Sequence, residues 1–156
     1  MAPFAGQAPR SNFLPWPLCA PTVTAVALTE QAASVAMATG AVFSFAGFAA
    51  ARPCHLWLPH DGYPTGAAWR FAASLREGEP PADFLVAFRR SQPAAETLAG
   101  IEAAADATYH YRTLLLTRPD PALVVSCWRR LPGDGGWRLR CGPLAMAVFI
   151  QRFLPG

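Results

Sequence analysis

The chain has 156 residues, 53% of them hydrophobic and only 15% charged, with a formal net charge of +3. That length suits one domain able to bury its own core, and so apolar a composition excludes a disordered chain outside the ends. All thirteen cations are arginines, so the chain offers no amine for Schiff-base chemistry, a phosphate-loop lysine or a pyridoxal-phosphate site.

The charge is uneven. From Tyr109 onward seven arginines face only Asp120 and Asp134, whereas six arginines precede it against eight acids. The carboxy-terminal third is thus a basic module, which favours an anionic partner. Nucleic acid is not expected, because basic residues interleaved with aromatics occur only between Cys127 and Cys141. The four cysteines, Cys19, Cys54, Cys127 and Cys141, come without a continuous apolar leader in the first twenty residues, so a reduced, cytoplasmic setting is expected. They form no CxxC pair, and no cofactor or structural zinc is expected.

In chain order, residues 1–21 carry prolines at 3, 9, 15, 17 and 21 and read as a mobile arm, with Phe13, Leu14 and Trp16 free to dock. Residues 22–52 read as a long helix: no charge falls between Glu30 and Arg52, and Ala32, Ala36, Gly40 and Ser44 repeat every four residues. Its uncharged stretch approaches the roughly 20 residues of a membrane span, though alanine keeps its hydropathy borderline. A buried soluble helix, a span and a helix lying on an apolar surface all remain open. The stretch 51–66 reads as a loop, followed by a helix from Ala67 to Arg76 that buries Trp69, Ala72 and Leu75. Pro81 opens a further helix with Phe84, Leu85 and Phe88 inward, and Pro93 starts another running to about Tyr111. From there "RTLLLT", "ALVVSCWRRL", "WRLRC" and "LAMAVFI" alternate with turn residues and read as an antiparallel meander.

The expected fold class is therefore α+β: three or four alanine-rich helices, then a carboxy-terminal antiparallel β-meander that includes the hairpin Val124–Cys141. The expected organisation is the arm and one domain over 22–156, helical to residue 111 and β-rich over 112–153.

Three groups of residues are chemically suggestive. A hairpin centred on Asp134 sets Cys127 opposite Cys141, Trp128 opposite Arg140, Arg129 opposite Leu139, Arg130 opposite Arg138 and Leu131 opposite Trp137. Its two cysteines then face the core as small apolar residues, without a disulfide. Trp128, Arg130, Arg138 and Arg140 share the other face, either as an anion-binding cluster or as a solvated strand surface. In "CHLWLPHDGY", His55, His60 and Asp61 offer metal ligands or an acid/base pair, alongside Cys54 and Tyr63; the alternative is a polar loop facing water. On the predicted helix after Pro93, Glu102, Asp106 and His110 lie four apart, as a ligand stripe or a solvated face. No GxSxG, HExxH, phosphate-loop or dinucleotide motif is present.

The leading expectation is a non-enzymatic interaction or accessory protein that buries the Val35–Phe48 helix surface. Its partner is expected to be another protein or a second copy of the chain, with a membrane or granule surface as the alternative and a location peripheral to that membrane. Helices followed by strands containing "GDGGWRLR" also resemble, in outline, the cone-shaped α+β domains of the nuclear-transport-factor-2 type. That resemblance implies helices closing over a curved sheet around a small-molecule or enzymatic pocket, formed by Trp69, Phe84, Phe88 and Trp137 with His110 at its end.

Overall fold

The computed structural model describes residues 39–49, 51–77, 80–133 and 136–154. The proline-rich arm, residues 22–38 of the predicted helix, and the hairpin turn at Asp134 lie outside them.

Strands β1 (Ala41–Ala46), β2 (Cys54–Leu58), β3 (Glu96–Leu98), β4 (Tyr109–Leu116), β5 (Ala122–Arg130) and β6 (Trp137–Ala145) form one sheet in the order β3-β2-β1-β4-β5-β6. Helices α1 (Pro64–Glu77), α2 (Phe84–Ser91) and α3 (Met146–Phe153) complete the described fold, which is α+β. All neighbouring strands are antiparallel except β1 and β4, which run parallel. Parallel neighbours cannot be joined by a tight turn, so the chain leaves β1, makes β2, α1, α2 and β3, and only then returns as β4. The sheet is thus mixed: the carboxy-terminal strands β4, β5 and β6 are successive antiparallel neighbours, and the parallel pair comes from β1, in the segment expected to be helical.

The predicted helix over 22–52 is corrected where it is described: residues 41–46 are β1. Phe43 and Phe45 point to one side of the strand, Val42 and Ser44 to the other, and all four are buried. A strand buried on both faces loses the polar alternation that marks a half-exposed one, so an alanine-rich, uncharged run reads like a helix. The Val35–Phe48 surface therefore contains a central strand in its described part. The helix predicted from Pro93 to Tyr111 is replaced by β3, a 3-10 turn at Ile101–Ala103 and the start of β4. Alanine favours a helix there, but Gly100 is fully extended and interrupts it. Glu102, Asp106 and His110 accordingly share no helix face. Residues 146–153, expected as strand, are α3.

All three helices cover one face of the sheet. Phe71 of α1, Phe84 and Phe88 of α2, and Met146 and Phe149 of α3 meet Phe43, Phe45, Leu56, Tyr111, Val125 and Cys127 in one buried cluster. Phe43 lies 5.8, 5.2 and 5.1 Å, centroid to centroid, from Phe71, Phe88 and Tyr111. Burying each phenylalanine contributes about 1.5–3 kcal/mol. Helix α1 presents Ala67, Ala68, Phe71 and Ser74 inward, not the predicted Trp69, Ala72 and Leu75; Trp69 and Leu75 are exposed. Phe71 sets that rotation, because it is the side chain that reaches the aromatic cluster. On the opposite sheet face a smaller cluster joins Val42, Ala104 and Ala107 with Trp57, Leu98, Ile101 and Trp137. No helix among the described residues is long and apolar enough to cross a membrane.

Candidate functional site

The segment between β2 and α1, "PHDGY", is fixed from several directions. Tyr111, buried beneath it, donates its hydroxyl to the Gly62 carbonyl at 2.7 Å, and the Gly62 amide donates to the Thr39 carbonyl at 2.7 Å. Arg70, one turn inside α1, donates through its two terminal nitrogens to the carbonyls of Asp61 (3.0 Å) and His60 (3.1 Å), and through Nε to Gln92 Oε1 at 3.1 Å. Burial pushes the Tyr111 phenol well above its ordinary range, with Cys127 adding to the effect, so the hydroxyl stays protonated as a donor. Burial pulls the Arg70 guanidinium down from its ordinary value while Asp61 opposes that shift.

Two glycines are required here. A Cβ on Gly62 would sit 2.7 Å from the Thr39 carbonyl oxygen, and one on Gly66 would run into the Asp61 carbonyl. Asp61 itself has a φ of 52°, in the left-handed region that L-residues adopt at a cost of about 1–2 kcal/mol. Strain of this kind persists only where surrounding contacts over-determine it, and it concentrates at functional sites.

The held loop borders a cleft of about 540 Å3 between α1, Gln92 at the end of α2 and Leu154 after α3. Tyr63 and Trp69 line it yet are 56% and 60% exposed. The Asp61 carboxylate, 82% exposed, stands 4.0 Å from the Arg70 guanidinium, which is 12% exposed. Three of the five N–H bonds of Arg70 go to Asp61, His60 and Gln92, leaving two without a hydrogen-bond partner among the described residues. The cleft thus combines two aromatic faces, an acceptor, a donor-rich cation and the hydroxyl of Thr65.

No family model, curated protein or solved structure matches this chain. Any functional reading therefore rests on the chain's own geometry.

Of the predicted metal or acid/base set, Asp61 is at the cleft and His60 contributes its backbone carbonyl to Arg70, but His55 is on β2 and bonds elsewhere. Ser44 Oγ on β1 lies 2.7 Å from His55 Nδ1 and 2.8 Å from His110 Nε2 on β4, linking three adjacent strands. A hydroxyl has one proton, so Ser44 donates to one imidazole and accepts from the other, which couples their tautomers. His110 stacks on Trp128 at 5.2 Å and meets Trp137 edge-on at 5.6 Å. Burial, then His55 and Arg112, hold His110 down at about 4, and burial lowers His55 as well, so both rings are neutral at pH 7. Ser44 is only 4% exposed, and its trio serves as a satisfied internal network rather than an open nucleophilic site. Among the described residues no group of three or more His, Cys, Asp or Glu side chains is placed to hold a metal.

The hairpin places Cys127 opposite Cys141 but pairs Trp128 with Leu139, Arg129 with Arg138 and Arg130 with Trp137. An extra residue at Arg140 shifts the register by one. Strand alternation then puts Trp128 and Arg130 on one sheet face and Arg138 on the other, so the four members of the predicted anion cluster do not share a surface. Arg130 lies 4.7 Å over the Trp137 ring and donates to the carbonyls of Ala104 and Ala105. The pocket implied by the cone-shaped resemblance is likewise dispersed. Phe84 and Phe88 are in the solid core beneath the helices, His110 and Trp137 are on the far sheet face, and Trp69 alone is at the cleft.

Proposed function

We propose that this protein is a binding module whose site is the Asp61–Tyr63–Trp69–Arg70 cleft, and that its ligand is a small, neutral, polyhydroxylated molecule such as a sugar unit. The observation that carries the reading is the pairing of two exposed aromatic rings with a strained loop that a buried tyrosine and a largely buried arginine hold in place. Asp61 and Arg70 are of opposite charge and 4.0 Å apart, so the lining has little net charge and favours neither an anion nor a cation. Acceptor and donor groups side by side match neighbouring hydroxyls, while a flat C–H face stacks on Trp69 or Tyr63. Titrating mono- and oligosaccharides while following tryptophan fluorescence or amide shifts tests this reading. Saturable shifts confined to residues 61–70, 92 and 154 support it; no response to any neutral polyol at millimolar concentration sinks it.

A protein partner or a second copy of the chain is the second reading. It is favoured by Trp69, Val86 and Val148, each at least half exposed and each on a different helix. Light scattering across a concentration series checks self-association: a monomer throughout removes the second-copy version.

A further inference from the structure

Cys127 and Cys141 face one another directly across β5 and β6. Opposed residues in antiparallel strands have Cα separations of about 4.5–5.5 Å, inside the roughly 4.4–6.8 Å that a disulfide spans. The register shifts between Val125 and Cys127 and again between Cys127 and Trp128, so the pair is flanked on both sides by irregular backbone that can adjust to a bond. Both residues line one small cavity of about 160 Å3, together with Arg140 and Arg152. Cys127 is wholly buried, Cys141 is partly exposed, and the two sulfurs are not joined in this structure.

We infer that Cys127 and Cys141 form a reversible dithiol–disulfide site that exchanges with an anionic low-molecular-weight disulfide, whose carboxylates are drawn in by Arg140 and Arg152. Cys141, the accessible member, reacts first. Its thiol loses a proton to solvent and the thiolate attacks one sulfur of the reagent; that S–S bond breaks, and one half leaves and takes up a proton. Cys127, deprotonated in turn, attacks Cys141 Sγ and releases the second half as a thiol. Overall, two protein thiols are oxidised to one disulfide, and one reagent disulfide is reduced to two thiols. Burial raises both thiols, Cys127 to about 12, while Arg152 and Arg140 oppose the rise at Cys141. Exchange is therefore slow at neutral pH and quickens as the pH rises.

The test uses the full chain, reduced and then incubated with glutathione disulfide at about pH 8, alkylated and cut with trypsin. The expected product joins the peptides spanning residues 113–129 and 141–152, retains no glutathione at either cysteine and reverts with dithiothreitol. Cys127→Ala should instead hold one glutathione on Cys141. Arg152→Gln should slow the reaction with glutathione disulfide several-fold more than the reaction with neutral hydroxyethyl disulfide, which loses only the help that Arg152 gives the Cys141 thiolate. In the unmutated protein a trivalent arsenical, which bridges two adjacent thiols, should protect both cysteines from alkylation. The inference is overturned if adducts form only on Cys19 or Cys54, if the joined peptides appear only after unfolding in urea, or if the arsenical leaves Cys127 and Cys141 open to alkylation.

Discussion

Lowering the pH should destabilise the fold through one identified imidazole. His110 sits among Ser44, His55, Trp128 and Trp137, and burial holds it at about 4 against an ordinary 6.5. Above about pH 6.5 it is neutral both folded and unfolded and contributes no proton linkage. As the pH falls from there toward 4, the unfolded chain binds the proton and the folded chain does not, so the unfolded state gains. The difference between 6.5 and about 4 corresponds to about 3 kcal/mol, fully developed below pH 4, a large fraction of the roughly 5–15 kcal/mol by which domains are stable. Urea unfolding of the wild type and of His110→Gln, at pH values from 8 to 4, isolates this group from the carboxylates common to both. The wild type should lose up to about 3 kcal/mol relative to the variant over that interval. Parallel stability curves for the two proteins, or an imidazole resonance of His110 titrating near 6.5, would refute the reasoning.

Three further outcomes follow from the loop. Tyr111→Phe leaves the buried Gly62 carbonyl without its phenol donor and should cost about 1–3 kcal/mol in urea unfolding, whereas a loss within error would mean that the bond does not hold the loop. Asp61→Gly relieves the left-handed backbone but adds freedom to the unfolded chain, so stability should change by less than about 1 kcal/mol while ligand binding is lost; large destabilisation would show that the Asp61 side chain holds the loop. Gly62→Ala forces a methyl against Thr39 and Gly40 and should destabilise by about 1–3 kcal/mol, read from the midpoint of thermal unfolding; a neutral result would mean that the loop yields easily.

How far the sequence was readable depended on what each element buries. Helices α1 and α2 were legible because a loop with prolines and glycines precedes the first and Pro81 precedes the second. The rotation of α1 was missed because Trp69 outranks Phe71 on size, although only Phe71 points at the aromatic cluster. Strand β1 was hidden by alanine and by burial on both faces. The hairpin was seen, but its register slipped because the extra residue at Arg140 carries no compositional mark, and a one-residue slip exchanges the faces of every side chain beyond it. The composition of the loop at the cleft points to imidazole chemistry, whereas in the structure Arg70 holds its backbone carbonyls and Tyr63 and Trp69 line the cleft beside it. A signal was present in the two glycines, Gly62 and Gly66, just ahead of an arginine one turn into the helix. The Ser44 network was beyond reach, since its histidines lie 11 and 66 residues away and are joined only by strand order.

Binding at the cleft is tested most directly by titrating the wild type and Trp69→Ala with the tightest neutral sugar or polyol found, using amide shifts as the readout. A saturable wild-type response at Asp61, Tyr63, Arg70 and Gln92, weakened roughly ten-fold in the variant because a stacking face worth about 1.4 kcal/mol is gone, is the predicted result. Equal binding by both proteins, or shifts that map to the far sheet face around His110, would contradict it.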